Sequence, residues 1–178
     1  MTATRPELPD WSVDQWFNTL GPLSLADLRG KVVVIEAFQM LCPGCVSHGL
    51  PLAQQVHDVF SKEDVAVIGL HTVFEHHAAM TPVSLQAFLH EYRITFPVGV
   101  DTPGKGDLPL TMERYGLRGT PSLLVVDRNG GLAAHHFGQV SALRLGAEIA
   151  SVICEAPPQA ASATGTGAAG CDEDGCVI

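Results

Sequence analysis

The sequence has few basic residues and no long apolar run. It contains 10 Lys and Arg against 19 Asp and Glu, so its formal net charge is −9 and its pI is about 5.2. Nucleic-acid binding depends on clustered cations, and because the sequence has no basic stripe we expect no nucleic-acid partner. No apolar run approaches the roughly 20 residues that a membrane-spanning helix requires, so we expect no membrane insertion.

The two ends of the chain lack common targeting signals. Residues 1–13 (MTATRPELPDWSV) contain no apolar segment of the kind found in secretory leaders. Cys176 is the third residue from the C-terminus, whereas a prenylation box places its cysteine fourth. The sequence therefore predicts a cytoplasmic protein, and a periplasmic or secreted location only if a leader has been removed.

Length and composition predict one domain followed by a tail. With 178 residues, 46% of them hydrophobic, the chain can form a core of ordinary size without structural disulfides or metals. Residues 156–170 (APPQAASATGTGAAG) contain only Ala, Gly, Ser, Thr, Pro and one Gln, and such a segment buries too little apolar surface to become ordered. We predict a domain over residues 1–155 and a flexible linker with a cysteine-containing tail over residues 156–178.

Short apolar runs and helical stretches alternate along the predicted domain. The predicted strands are Lys31–Ala37, Val65–Leu70, Ser122–Val126 and Leu132–Phe137. The predicted helices are Cys45–Phe60, Ser84–Tyr92, Leu110–Tyr115 and Ala142–Cys154. Residues 127–131 (DRNGG) predict a turn, so the last two strands should form an antiparallel hairpin. This order indicates an α/β fold with a central mixed β-sheet flanked by helices.

Cys42 and Cys45 are separated by two residues, directly after the first buried strand and at the start of a helix. This spacing brings both sulfurs within disulfide distance on one helical turn. Cys42 then lies at the helix N-terminus, where unpaired N–H groups and the helix dipole stabilise a thiolate. Pro43 fits the first helical position because its missing N–H has no intrahelical partner there. We predict that Cys42 is the nucleophile and that Cys45 resolves the mixed disulfide.

Two further features support redox chemistry. Glu36 interrupts the apolar strand six residues before Cys42. Burial of an unpaired carboxylate raises its pKa, so Glu36 is a candidate to accept the proton of Cys45. The alternative is a carboxylate that reaches solvent at the strand end. Pro121 precedes another buried strand, and a cis Thr120–Pro121 bond would present the Thr120 backbone to an incoming peptide.

With these motifs the sequence resembles the thioredoxin superfamily, in particular its TlpA-like and redoxin (AhpC/TSA-related) branch. That branch shares a stretch like residues 25–34 (LADLRGKVVV), and the resemblance extends over residues 23–153. It implies a thioredoxin-like fold, thiol–disulfide exchange with protein or small disulfides, an upstream reductase or oxidant as partner, and no cofactor. It places the nucleophile at Cys42, the resolving thiol at Cys45, the cis proline at Pro121 and the buried acid at Glu36.

The sequence departs from the pattern of this superfamily at Leu41, at Pro51 and in the segment over residues 73–81. Leu41 replaces the Trp that commonly precedes the first cysteine, which changes the surface that meets the partner. We expect Leu41 and Pro43, with Thr120 and Pro121, to contact the substrate. Pro51 follows Cys45 by six residues rather than five, so an extra residue is expected to bulge the helix.

Two other functions remain open. A redoxin-type peroxidase would use Cys42 to attack a peroxide, but peroxiredoxins usually carry Thr or Ser at the position of Gln39. A metal-binding protein would use His71, His76 and His77, or the cysteine tail. The three histidines lack regular ligand spacing, so we expect solvated loop residues and no metal site there.

The remaining cysteines lie near the C-terminus. Cys171 and Cys176 flank the acidic residues 172–174 (DED), which should raise the pKa of both tail thiols. We consider the pair a possible second redox dithiol that exchanges electrons with Cys42 and Cys45. Metal capture by the tail and an incidental exposed tail are the alternatives. Cys154 is expected to be a small buried residue of the last helix.

Overall fold

The computed structural model describes residues 5–155. The predicted linker and the cysteines Cys171 and Cys176 lie outside the described residues. Within residues 5–155, no helix has the length and apolar character needed to cross a membrane.

The fold is built on one six-stranded sheet. Its strands are β1 (Val13–Phe17), β2 (Val32–Phe38), β3 (Val65–His71), β4 (Val98–Asp101), β5 (Ser122–Val126) and β6 (Leu132–Phe137). Their spatial order is β1-β4-β3-β2-β5-β6. Strands β2, β3 and β4 are parallel, whereas β1, β5 and β6 each pair antiparallel with a neighbour. The prediction of a mixed sheet ending in a hairpin is confirmed.

The helices follow the predicted order. They are α1 (Leu50–Val59), α2 (Pro82–Glu91), α3 (Leu110–Arg114) and α4 (Ala142–Cys154). A π-helical turn (Cys45–Gly49) precedes α1, and a short 3₁₀ helix (Ala26–Leu28) precedes β2. Thr81 and Ser141 begin α2 and α4 because each side-chain oxygen accepts a hydrogen bond from a backbone N–H of the first turn.

The hydrophobic core has two parts, one on each face of the sheet. The side chains of Val34 and Phe38 pack with buried residues of α1, α2 and α4. Those of Val33 and Ile35 pack on the other face with Met112 of α3 and with the N-terminal segment. Alternate residues of a strand point to opposite faces, and all seven residues of β2 are buried. Glu36 therefore lies among apolar side chains on the face that α1 covers.

The structure corrects four details of the sequence prediction. Strands β1 and β4 were not predicted, and they pair with each other at one edge of the sheet. His71 is not a solvated loop residue, because β3 extends to it and its side chain is buried. Cys154 is exposed rather than buried, since the buried residues of α4 are Leu145, Ile149 and Val152 on its other side.

Candidate redox-active site

The two cysteines lie between the end of β2 and the start of α1, the helix that packs on it. Both are free thiols; Cys42 is partly exposed, whereas Cys45 is buried. The helical backbone begins at Pro43, so Cys42 directly precedes the first turn. The Cys45 N–H lies 3.3 Å from Cys42 Sγ and donates a hydrogen bond to it. This contact puts a backbone donor on the more accessible sulfur, which suits a nucleophilic thiolate.

Pro121 lies against the dithiol. The Thr120–Pro121 peptide bond is cis, as predicted. The Thr120 carbonyl oxygen is 3.4 Å from Cys42 Sγ and accepts its hydrogen bond. A Cβ added to Gly44 would lie 3.2 Å from Pro121 Cδ, so glycine at this position allows the dithiol loop to pack closely on the proline.

Glu36 is fully enclosed beneath the helix. Only 1% of its surface is exposed, and neither carboxylate oxygen has a hydrogen-bond partner among the described residues. Burial raises the pKa of Glu36 well above its usual value, and the negative charge that Cys42 carries as a thiolate raises it further. The alternative of a carboxylate that reaches solvent at the strand end is wrong.

Cys45 is also in an unfavourable place for negative charge. Burial is the main cause that raises the pKa of the Cys45 thiol, followed by its hydrogen bond with Cys42. A thiol with a raised pKa needs a base before it can attack a disulfide. The two cysteines therefore differ in access, and the structure supports different tasks for them.

The π-helical turn follows from the extra residue before Pro51. Its wider ring accommodates one additional residue without breaking the helix, so the predicted bulge is confirmed. The turn brings Gly49 against Glu36. A Cβ added to Gly49 would lie 2.2 Å from Glu36 Oε1. It also places His48 at the surface directly above.

A small cavity of about 10 Å³ adjoins the Glu36 side chain. Its lining residues come from the π turn, α1, β5 and the segment after β6, and they are Glu36, His48, Gly49, Leu52, Leu123, Gly138, Gln139 and Val140. His48 Nδ1 lies 2.6 Å from Ser47 Oγ and 3.1 Å from Gln139 Nε2. Sequence reasoning missed His48 and Gln139, because only the fold brings residues 91 positions apart together.

The surface around the dithiol is largely apolar. Leu41 is 57% exposed, and Pro43 is exposed beside it. Phe137 of β6 is 52% exposed, and the guanidinium carbon of Arg118 lies 5.3 Å from the centre of its ring. Neither Arg118 nor Phe137 had a signal in the sequence that linked it to the dithiol.

The predicted alternatives find little support among the described residues. The side chain of Gln39 is buried and accepts a hydrogen bond from the Phe74 N–H, so it holds the loop after β3. His76 and His77 are exposed, whereas His71 packs against the Phe38 ring. No group of three or more His, Cys, Asp or Glu within residues 5–155 is arranged to hold a metal ion.

Several solved structures have the same fold. The crystal structure of a thioredoxin-like superfamily protein is 66% identical, with a TM-score of 0.84 over 85% of this chain and 99% of that chain. The crystal structure of a thiol-disulfide isomerase from Corynebacterium glutamicum is 50% identical, with a TM-score of 0.81 over 85% of this chain and 98% of that chain.

Curated relatives match the chain through a part of their length. NHL repeat-containing protein 2 of Gallus gallus is 38% identical over 51% of this chain and 13% of its own. Protein DipZ of Mycobacterium bovis is 28% identical over 77% of this chain and 19% of its own. The thiol-disulfide oxidoreductase ResA of Bacillus anthracis is 23% identical over 66% of this chain and 61% of its own. The chain thus spans less than a fifth of the first two relatives.

The family model for AhpC/TSA proteins matches residues 5–135, which include β1 to β5 and the dithiol. The thioredoxin-like fold of the solved structures agrees with this match. This chain belongs to the AhpC/TSA family.

Proposed function

We propose that this protein, a thiol–disulfide oxidoreductase, exchanges its Cys42–Cys45 dithiol with disulfides of protein or small-molecule substrates. The Cys42 thiolate attacks a substrate disulfide, forms a mixed disulfide and releases one substrate thiolate. Cys45 then loses its proton and attacks Cys42 Sγ. This step forms the Cys42–Cys45 disulfide and releases the second substrate thiol, so two electrons pass from the protein to the substrate. The reverse sequence oxidises a substrate dithiol.

One observation carries this assignment of roles. Cys42 Sγ is partly exposed and accepts a backbone hydrogen bond, whereas Cys45 is buried and needs a base. Glu36 is the buried carboxylate on the face of β2 that α1 covers, and its raised pKa suits it to accept a proton from a thiol. Glu36 is therefore assigned the role of the base that activates Cys45.

A turnover assay tests the assignment. Cys42→Ser should abolish insulin reduction, because the other thiol of the pair, Cys45, is buried. The matched control is Cys154→Ser, which removes an exposed thiol at the end of α4 and should leave turnover unchanged. Turnover by Cys42→Ser would refute the proposal.

The substrate is proposed to bind across Leu41, Pro43 and the Thr120–Pro121 segment. These residues surround Cys42 and offer apolar surface together with the Thr120 backbone. An extended substrate segment can align with that backbone and bring its disulfide to Cys42. Leu41→Glu should raise the KM for a protein substrate and leave the reaction of Cys42 with a small disulfide nearly unchanged.

We propose that Cys171 and Cys176 form a second redox pair that exchanges with the Cys42–Cys45 pair. The last described residue, Glu155, binds Arg5, which also binds Asp127 directly after β5. Since β5 begins beside Pro121, α4 ends at the opposite end of the sheet from the dithiol. The five residues of β5 span about 17 Å. A chain of 16 residues, from 155 to 171, reaches up to roughly 53 Å when extended, so its length suffices.

Charge complementarity supports the same proposal. The tail cysteines flank Asp172, Glu173 and Asp174. Arg118 lies two residues before Thr120, is exposed, and has no carboxylate within 4 Å among residues 5–155. A reduced tail dithiol that attacks the Cys42–Cys45 disulfide becomes a disulfide itself, and the active-site dithiol is regenerated.

Trapping tests the role of the tail. Cys45→Ser protein, oxidised gently and digested, should yield a peptide in which Cys42 is joined to Cys171 or Cys176 of the same chain. Arg118→Ala should lower the yield of this link, and removal of both tail cysteines should abolish it. Links only between chains, or no link, would refute an internal relay.

The upstream partner and the compartment remain predictions. A trapped complex of Cys45→Ser with a reductase or an oxidant in cell extract would identify the redox partner. The cytoplasmic location predicted from the sequence is tested by cell fractionation of the full-length natural protein.

A further inference from the structure

Glu36 cannot serve repeatedly as a base unless its proton can leave. The carboxylate is enclosed by β2, the π turn and Pro121, and no described residue donates a hydrogen bond to either oxygen. Most of the cavity beside it is lined by apolar side chains and glycine. Among the residues that the structure describes, His48 and Gln139 are the only other ones that line this cavity with polar side chains. Both are exposed on their outer side.

The size of the cavity fits a proton route of one water molecule. A volume of about 10 Å³ is close to the smallest space that holds a water. Such a water would have Glu36 on its inner side and the two polar side chains on its outer side. A proton can pass along such a chain from the carboxylic acid to a side chain in contact with solvent.

His48 is the member of this pair whose ring can carry a proton. The π turn carries it over Gly49, the residue that contacts Glu36. Contacts of its Nδ1 with Ser47 Oγ at 2.6 Å and with Gln139 Nε2 at 3.1 Å fix the ring at the outer end of the cavity. Glu36 lines the same cavity without a hydrogen bond to the ring, and no other charged group of the described residues is within hydrogen-bond distance of it. An imidazole ring can accept a proton at one nitrogen and release one from the other.

We infer that His48, positioned by Gln139, is the group through which the proton of Glu36 reaches solvent. This inference depends on the proposed function, because it takes Glu36 as the base for Cys45. The proton moves from Cys45 to Glu36, then through one water to the His48 ring, and from the ring to bulk buffer. No electrons move in this sequence. His48 touches neither substrate nor reacting sulfur, so it acts by proton transfer from Glu36.

Chemical rescue tests the inference. In dilute buffer, His48→Ala should slow resolution of a preformed mixed disulfide about tenfold, and added imidazole should restore most of the rate. His48→Gln, which keeps a polar side chain but cannot titrate, should be similarly slow. His90→Ala is the control, because His90 is an exposed histidine of α2 beside Glu91 and away from this cavity. It should react like the wild type.

The outcomes separate this inference from the proposed function. A normal rate in His48→Ala, or a slow rate that imidazole leaves unchanged, would overturn the role of His48. Glu36→Gln should be slow whether or not imidazole is present, and His48→Ala should slow that variant no further. If Glu36→Gln resolves at the wild-type rate, Glu36 is not the base for Cys45. A proton route through His48 then has no function either.

Discussion

Glu36 and Asp101 are both buried carboxylates, but their surroundings differ. Asp101, 3% exposed at the end of β4, accepts hydrogen bonds from Thr72 Oγ1 at 3.0 Å, the Thr111 N–H at 2.8 Å and the Met112 N–H at 3.0 Å. Glu36, 1% exposed in the middle of the sheet, accepts none from the described residues. Burial raises the pKa of both groups, and in Asp101 the hydrogen bonds counteract this effect.

The difference fits a structural role for Asp101 and the chemical role proposed for Glu36. Asp101 joins the end of β4 to the start of α3 and to Thr72 after β3, so its charge is used to hold three segments together. Glu36 has no such partners, and its charged form is disfavoured. A carboxylate of this kind is suited to take up a proton, which is the role proposed for it toward Cys45. The partners of a buried acid thus indicate its role better than its burial does.

The largest effect is expected from removal of the structural acid. Asp101→Ala leaves two backbone N–H groups and one hydroxyl without their acceptor, and we expect the free energy of unfolding to fall by about 4 kcal/mol. Urea denaturation measures this change. The resolution rate of the folded variant should stay near the wild-type value. A stable Asp101→Ala protein with slow resolution would reverse the two assigned roles.

Glu36→Gln should change chemistry rather than folding. We expect resolution by Cys45 to slow about 100-fold, which corresponds to about 2.7 kcal/mol, because the proposed general base is lost. The first attack by Cys42 should be nearly unchanged, and single-turnover kinetics separates the two steps. Equal slowing of both steps would indicate a disturbed site instead of a missing base.

His71 sharpens the comparison, because it is buried without a hydrogen-bond partner among residues 5–155 but lies outside the dithiol site. Burial lowers the pKa of His71 to about 4, so the folded protein binds its proton less readily than the unfolded chain does. Its contribution to stability is therefore complete above the ordinary histidine pKa near 6.5 and is lost as the pH falls. Between pH 6.5 and 5 we expect a loss of about 2 kcal/mol. His71→Met should remove this loss in urea titrations without affecting resolution.

An effect of opposite sign is expected for Glu36. Its pKa is raised in the folded state, so its contribution to stability is greatest below the ordinary carboxyl pKa near 4.3 and decreases as the pH rises toward the raised value. In that window the wild type should lose up to about 1.4 kcal/mol per pH unit relative to Glu36→Gln. Parallel stability curves for the two proteins would contradict an elevated pKa.

Sequence patterns identified the centre of the sheet better than its edge. Apolar β-branched runs predicted β2, β3 and β5, because these strands are buried and need such residues, and the turn at residues 127–131 predicted β6 as the partner of β5. Strand β1 carries exposed Asp14 and Gln15, and β4 has only four residues and includes Gly99. Their pairing depends on Val13 packing over Gly99, where an added Cβ would lie 2.9 Å from the valine methyl groups. A local pattern does not report such a contact.

The candidate site was predictable where it is local in sequence. The dithiol spacing, the cis proline and the bulge before Pro51 were all deduced from neighbouring residues, and the structure has the same features. The positions of His48, Gln139, Arg118 and Phe137 depend on contacts between distant segments. The errors at His71 and Cys154 have the same origin, because the burial of a residue at the end of an element depends on what packs against it.

The most direct test of the account is to identify the sulfur that bonds to the substrate. Cys45→Ser protein, mixed with an oxidised protein substrate, should accumulate a covalent complex that mass spectrometry assigns to Cys42. Cys42→Ser protein should form no comparable complex, because the thiol of Cys45 is buried and has a raised pKa. A complex linked through Cys45 in the Cys42→Ser protein, at the same rate, would contradict the division of roles between the two cysteines.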